Sequence, residues 1–355
     1  MTKLSKIGQL LDRHGLLIER LGDDVALEAM CPAQSPVTGA LVCVDDANHI
    51  EAVIDAKPGA VIIDERLKSR FSGFSMIVSS NVKLSHALVR AKFFDYNVRT
   101  SEWGARHPSA IIDDSVQVPA SAVIGPGVVV GRNARLGENV VVRANAVIEH
   151  DAIIGDDTVI HAGVFIGYGC RIGNRVILKP GCVIGAEGFG FVQDDDKKSH
   201  RIPQRGIVII DDDVVIGANC TVDRATYSET RISAGCKLDA LCHIAHNVFL
   251  DEDCIIVAQS GIAGSTRFGK RVIATGQTGT LDHKTVADDV ILIHRCGVTE
   301  DINEPGTYAA TPPQPFGDYR RNIATFRKLY ELRQRLRRLE KNLQNLMNHS
   351  IRNPR

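Results

Sequence analysis

The sequence predicts a mainly β protein, a long parallel β-helix preceded by a small α/β domain and followed by C-terminal helices. Three observations carry this reading. An aliphatic residue returns every six positions through the middle of the 355-residue chain. The first hundred or so residues lack that period and alternate short apolar runs with amphipathic ones. Beyond TPPQPFG, leucines return instead at intervals of three and four.

Residues 1–105 read as the α/β unit. SKIGQLLDRHG forms a helix, GALVCV a strand, DANHIEAVIDA a helix, GAVIID and SMIVSS strands, and SHALVRAKFFDY a helix with Ser85 as its N-cap. WGARHPSA marks the handover to the next domain.

Residues 106–312 carry the hexads. The aliphatic positions run from Ile112 without interruption to Ile184, return at Ile210, Ile216 and Val222, and resume from Ile232 to Val298. A period of six is neither that of a helix nor that of an ordinary strand. Three hexads close one triangular coil, the aliphatic residue points into the prism, and successive coils stack as parallel strands. Glycine often follows the aliphatic residue, at 125, 131, 137, 155, 167, 173, 185, 217 and 269, where it is expected to let the chain turn a corner. The breaks, AEGFGFVQDDDKKSHRIPQRG and RATYSET, must leave the prism as loops, the usual place for binding groups.

Residues 313–355 form a basic helical segment. Leu329, Leu332, Leu336, Leu339, Leu343 and Leu346 make a heptad seam that needs a partner, which points to an oligomer. Residues 318–347 hold nine Lys or Arg against three Asp or Glu, so this segment is suited to an acidic partner.

Composition excludes several classes. Forty-two basic residues balance 42 acidic ones, so the total charge gives no sign of nucleic acid. No apolar run is long enough to span a membrane, and MTKLSKIGQLLDRHG lacks a signal-peptide core, which suits a cytosolic protein. The nine cysteines are scattered without a C-x-x-C pair and read as buried, reduced thiols; Cys242 is among them, not a nucleophile. GSTRFGKR, from Gly264 to Arg271, imitates a phosphate loop but ends on Arg271 where a hydroxyl is required, and no helix follows. GAEGFG at 185–190 likewise opens no helix, which argues against dinucleotide binding.

The histidines are sorted by hexad register. His243 and His246 flank the inward Ile244 in CHIAHNV and so face outward. His283 lies two coils and one residue beyond His246, about 10 Å along the prism at the usual strand spacing. Both can line one cleft. A neutral imidazole accepts a proton near pH 7, and Asp239, about one hexad before His246, is placed to orient it. Three histidines along a β-helix also admit a zinc-hydration reading, with spacing unlike that of hexapeptide carbonic anhydrases. A coenzyme A-dependent hexapeptide acyltransferase fits the same pattern, and so does a non-catalytic trimeric scaffold.

The ordered set GAEGFGF (185–191), IGANCTVDRA (216–225), KLDALCHIAHNV (237–248), VAQSGIAGSTRFG (257–269) and INEPGTYAATPPQP (302–315) resembles the UDP-3-O-acylglucosamine N-acyltransferases of lipid A biosynthesis, over the whole chain. That resemblance implies a left-handed coil and a cytoplasmic homotrimer. It implies a 3-hydroxyacyl donor on the phosphopantetheine arm of acyl carrier protein, with no other cofactor and no metal. The acidic carrier would meet the basic helix at Arg320–Lys341. Carried over residue by residue, it makes His246 the general base with Asp239 and Asn247 beside it. His283 falls near the thioester end of the pantetheine arm, and Gly188, Phe189 and Gly190 help shape the acyl and sugar cleft. Two departures stand out. Where the family has an aromatic pair for uracil, this chain has Cys43 and His49, which loses stacking area and leaves another nucleotide-linked amino sugar open. Within the IAHN element it has Ala240 and His243, the latter read as a packing ring.

Overall fold

The computed structural model describes residues 1–97, 101–293 and 295–352, with side chains through 344. The chain divides into two compact units, Met1–Asn97 and Val98–Arg355.

In the first unit a five-stranded sheet runs in the order Leu17–Leu21, Met76–Ser79, Ala60–Ile63, Leu41–Val44, Met30–Cys31. The first pair is antiparallel and the rest are parallel. Every residue of Ala60–Ile63 and Met76–Ser79 is buried, because separate apolar clusters cover the two faces of the sheet. The helix assigned to SHALVRAKFFDY begins at Val82 and is capped by Asn81, whose Oδ1 accepts from Leu84 N at 3.0 Å. Ser85 is instead buried inside the helix, 2.7 Å from Ser79 Oγ. An Asn one residue before the first turn satisfies a free N–H that a serine within it cannot reach.

The second unit is a left-handed parallel β-helix. Two-residue strands stack once per three hexads, as in Val129–Val147–Phe165–Val183, and form three parallel faces. The chain has joined the first coil by Ala105 and His107, which bond across to Ile124. One continuous core fills the prism. It has two inward columns. Besides the aliphatic residue, the residue two places before it is buried, and Cys170, Cys182, Cys220, Cys236, Cys242, Cys254 and Cys296 all stand there. All nine cysteines are free. Each buried Ile, Val or Leu contributes ~1.5–3 kcal/mol.

The corners correct the expectation about glycine. The left-handed backbone falls three residues after the inward one, at Asn133, Asn139, Asn145, Asp151, Asn247 and His283 among others, with φ between 56° and 60°. Asn and Asp tolerate this conformation best after glycine. The glycine directly after the inward residue has another task. A Cβ on Gly217 would stand 2.3 Å from the carbonyl carbon of Asp239, in the next coil. It permits close approach of coils, not a turn; of the nine positions named from the sequence, Gly185 alone has the left-handed backbone, with φ 84°.

The two breaks leave the prism as expected. Phe191–Gln193 and Ser199–Arg201 form an antiparallel hairpin, and residues 225–228 bulge out before Glu229–Ile232. The GSTRFGKR segment is ordinary coil, with Phe268 in the core. The C-terminal segment forms two helices, Phe316–Phe326 and Leu329–Arg352. Leu329, Leu332, Leu336, Leu339 and Leu343 are exposed, while Leu346 lies outside the described side chains. No helix among the described residues is long and apolar enough to cross a membrane.

Candidate active site

His246 stands on the corner that follows strand His243–Ile244. Its half-buried ring lies between two glycines. A Cβ on Gly188, from the first insertion, would meet the ring and its own Cβ at 2.8–3.3 Å, and one on Gly264 would meet ring atoms at 2.7–3.2 Å. Gly264 is the same corner one coil later, as the hydrogen bond from Ser265 N to His246 O shows. No other residue leaves room for an imidazole on both sides.

The ring is oriented by a chain of polar groups with a fixed direction. Asn247 Oδ1 accepts from Thr226 N at 2.9 Å, which turns its amide nitrogen towards His246 Nδ1 at 3.1 Å and Thr226 Oγ1 at 3.1 Å. Thr226 Oγ1 donates to Gln204 Oε1 at 2.8 Å, and the buried Gln204 donates to Ile202 O. Nδ1 is therefore an acceptor, and the proton of the neutral ring sits on Nε2. Burial lowers the His246 pKa from its ordinary value of 6.5, and the field of His283 lowers it further; a backbone hydrogen bond with Phe189 and the charge of Asp282 oppose this. At pH 7 the ring is neutral and able to accept a proton.

The other expected residues fall into three groups. Asn247 and Gly188 gather at His246, and His283 stands on the corner beyond Gly264. His283 occupies a left-handed corner, exposed to solvent, and its N–H donates to Gly264 O at 2.9 Å. Phe189 and Gly190 continue the insertion. The Phe189 ring is 82% exposed and rests against Phe191 with ring centroids 4.8 Å apart, while Gly190 leaves room for Gln204 Nε2, which a Cβ would meet at 2.4 Å.

Asp239 is a correction. Its carboxylate accepts from Ala240 N at 2.8 Å and Ala258 N at 3.3 Å, and the group bonded to the imidazole is Asn247. Lys237–Leu238 and His243–Ile244 belong to different faces of the prism, so the two residues stand at opposite ends of one side. One hexad makes a sequence neighbour here; a full coil makes a spatial one. His49 belongs to the N-terminal unit, where it lines a cavity of about 220 Å³ together with Cys31, Cys43, Asp45, Asp46 and His86. Burial pushes the Cys43 thiol well above its ordinary range.

Gly264, Thr226 and Gln204 are site residues that sequence reasoning misses. Gly264 is within reach of the period, one full coil beyond His246 on strands that pair in register. The other two lie in the breaks, where no period projects a position. Among the described residues no cluster of three or more His, Cys, Asp or Glu side chains is placed to hold a metal ion.

Residues 106–189 match the family model described as the GMPPB C-terminal domain. Over 94% of its length the chain is 49% identical to a UDP-3-O-acylglucosamine N-acyltransferase of Methylococcus capsulatus, 96% of which is covered. A protein of the same name from Coxiella burnetii is 36% identical over 85% of this chain and 88% of its own. Among solved structures, LpxA, a UDP-N-acetylglucosamine acyltransferase from Bacteroides fragilis, superposes with a TM-score of 0.43 at 26% identity, covering 61% of this chain and 72% of that one. By its near-full-length identity to the first two proteins, the chain belongs to the UDP-3-O-acylglucosamine N-acyltransferase family.

Proposed function

We propose that this chain is an N-acyltransferase of lipid A biosynthesis, moving a 3-hydroxyacyl group from the phosphopantetheine thioester of acyl carrier protein to the 2-amino group of a UDP-3-O-acylglucosamine. The observation that carries the mechanism is the half-buried His246 ring, held neutral between Gly188 and Gly264. The amine nitrogen attacks the thioester carbonyl, a C–N bond forms and the C–S bond breaks. His246 takes the amine proton and returns it to the leaving thiolate. The Asn247 amide occupies the accepting nitrogen, so proton uptake requires that one hydrogen bond to be displaced.

His283, whose charge reaches His246, is proposed to face the thioester end of the pantetheine arm. Phe189 and the flanking Gly188 and Gly190 are proposed to border the acyl and sugar cleft. The working unit is a homotrimer, and the basic Arg320–Lys341 stretch is the docking site for the acidic carrier protein; the exposed leucines of helix Leu329–Arg352 support a protein partner. Nine free cysteines suit a reducing compartment, and the proposed setting is the cytoplasm. No cofactor beyond the donor's own arm enters the scheme. The N-terminal cavity beside His49 is the proposed nucleotide site, without an aromatic pair to stack on uracil.

The test is transfer by the purified protein. Supplied with mixed 3-hydroxyacyl carrier-protein thioesters and UDP-3-O-acylglucosamine, it should give the N-acylated sugar by mass spectrometry. Activity confined to acetyl-coenzyme A would contradict the assignment.

A further inference from the structure

Arg224 stands in the corner row of His246, one coil earlier, and is 3% exposed. No step of the proposed reaction uses it. Its guanidinium lies 3.5 Å from the centre of the Tyr168 ring and donates to three carbonyls: Nε to Gly185 O at 2.8 Å, Nη1 to Gly206 O at 3.2 Å and Nη2 to Tyr168 O at 3.3 Å. Gly167 leaves space for that plane, since a Cβ there would meet Nη2 at 2.7 Å. A buried cation needs such acceptors in place of water. Where two of them lie is informative. Gly185 is the last residue before the first break in the hexads, and Gly206 is the last residue of that break. One side chain therefore bonds both feet of the insertion.

The insertion in turn reaches His246 along both of its arms. On the outgoing arm, past a bulge between Ile184 and Ala186, Gly188 fits against the His246 ring. On the returning arm, Gln204 bonds Thr226, Thr226 bonds Asn247, and Asn247 bonds His246 Nδ1. Between the arms, Arg201 pairs with Glu187, which also accepts from Gln204 N at 3.2 Å. That cross-tie is open to water, with side chains 60% and 39% exposed, so it is screened and weak. The buried tie at the feet is the stronger one.

We propose that Arg224 is a positioning residue for His246: it clasps both feet of the insertion and so fixes the two arms that confine and orient the ring. The inference rests on the reading of His246 as the base. The three oxygens are spread around one guanidinium plane that also lies on an aromatic face. An ammonium on a shorter stem has no such plane and cannot serve all of them.

Arg224→Lys, which keeps the charge, tests the clasp in the full chain. Its kcat should fall about ten- to a hundredfold, because the base is displaced. Amide hydrogen exchange, read by mass spectrometry, should quicken about tenfold across residues 186–206 while the strands of the prism exchange as before. The two changes together are the signature, since an arginine that only stabilises the coils would loosen the prism around it and leave kcat of the folded protein alone. Tyr168→Leu removes the ring beneath the guanidinium and should give the same pattern to a smaller extent, which keeps the test available if Arg224→Lys fails to fold. Near-normal kcat in the folded variants, unchanged exchange across the insertion, or faster exchange spread over the prism would each overturn the clasp. Undiminished turnover in His246→Ala would instead overturn the base reading and leave the exchange result standing.

Discussion

Two corners of the same prism have the same backbone and opposite uses. On one, the residue two places after the inward one is Glu138, Asp156, Asn174 or Asp212 in successive coils. Asp156, Asn174 and Asp212 each accept from the backbone N–H one coil before, all at 2.8 Å, and Asn174 also bonds Asp212 through its side chain. That ladder satisfies corner donors and ties coil to coil. On the other corner the same place holds His150, Tyr168, Arg224 and His246. His150 stacks on Tyr168 with centroids 5.3 Å apart, and Arg224 covers the Tyr168 ring. Here the side chains are rings and a cation, and the insertion closes over the last of them through Gly188. The period thus supplies identical sockets, and chemistry gathers where the period is broken beside one.

Substitutions probe this contrast. Ile244→Ala empties an inward position shared by both kinds of corner and should cost ~2–5 kcal/mol in denaturant unfolding, whichever side it faces. Gly264→Ala pushes a methyl against the His246 ring and should reduce kcat about ten- to a hundredfold, because a small displacement of the proposed base is costly. Gly261→Ala, at the start of the preceding strand Gly261–Ile262 with nothing within 4 Å of a new Cβ in the single chain, is its steric control and should leave the fold of the chain intact by circular dichroism. On the ladder corner, Asn174→Ala should cost ~1 kcal/mol of stability and leave turnover unchanged.

The smallest effect is one of pH. Burial and the His283 charge lower the folded His246 pKa, so kcat/KM should hold until pH falls below the ordinary imidazole value of 6.5. His283→Gln removes one lowering influence and should shift that limb upward; a limb that stays put would separate His283 from the base.

The architecture is legible because a closed triangular coil keeps an aliphatic side chain at one fixed place in every six, and the two breaks can be discounted as leaving it. Less of the corner can be read. The second inward column is hidden because Ala, Cys, Thr and Ser fill it as well as Val; Thr158, Ser260 and Thr278 are buried there by donating to carbonyls. His246 and His283 share one corner of the prism because whole coils stack one above another. Asp239 does not join them because one hexad carries the chain to another face. The hydrogen-bonded chain at His246, Asn247–Thr226–Gln204, joins a coil residue to two residues of the breaks, and no regular spacing leads from one to the others. Ser85 precedes an apolar run and so resembles a cap, whereas the strand before it ends close enough for Asn81 to start the helix.

His246 and Asn174 occupy equivalent corner positions, and their roles should separate cleanly into chemistry and stability. Kinetics and thermal unfolding of His246→Ala and Asn174→Ala, measured side by side, probe that separation. His246→Ala is expected to lose about 10²- to 10⁴-fold in turnover with its melting temperature nearly unchanged, while Asn174→Ala melts earlier and turns over normally. Near-normal acylation by His246→Ala, with the protein folded, would contradict it.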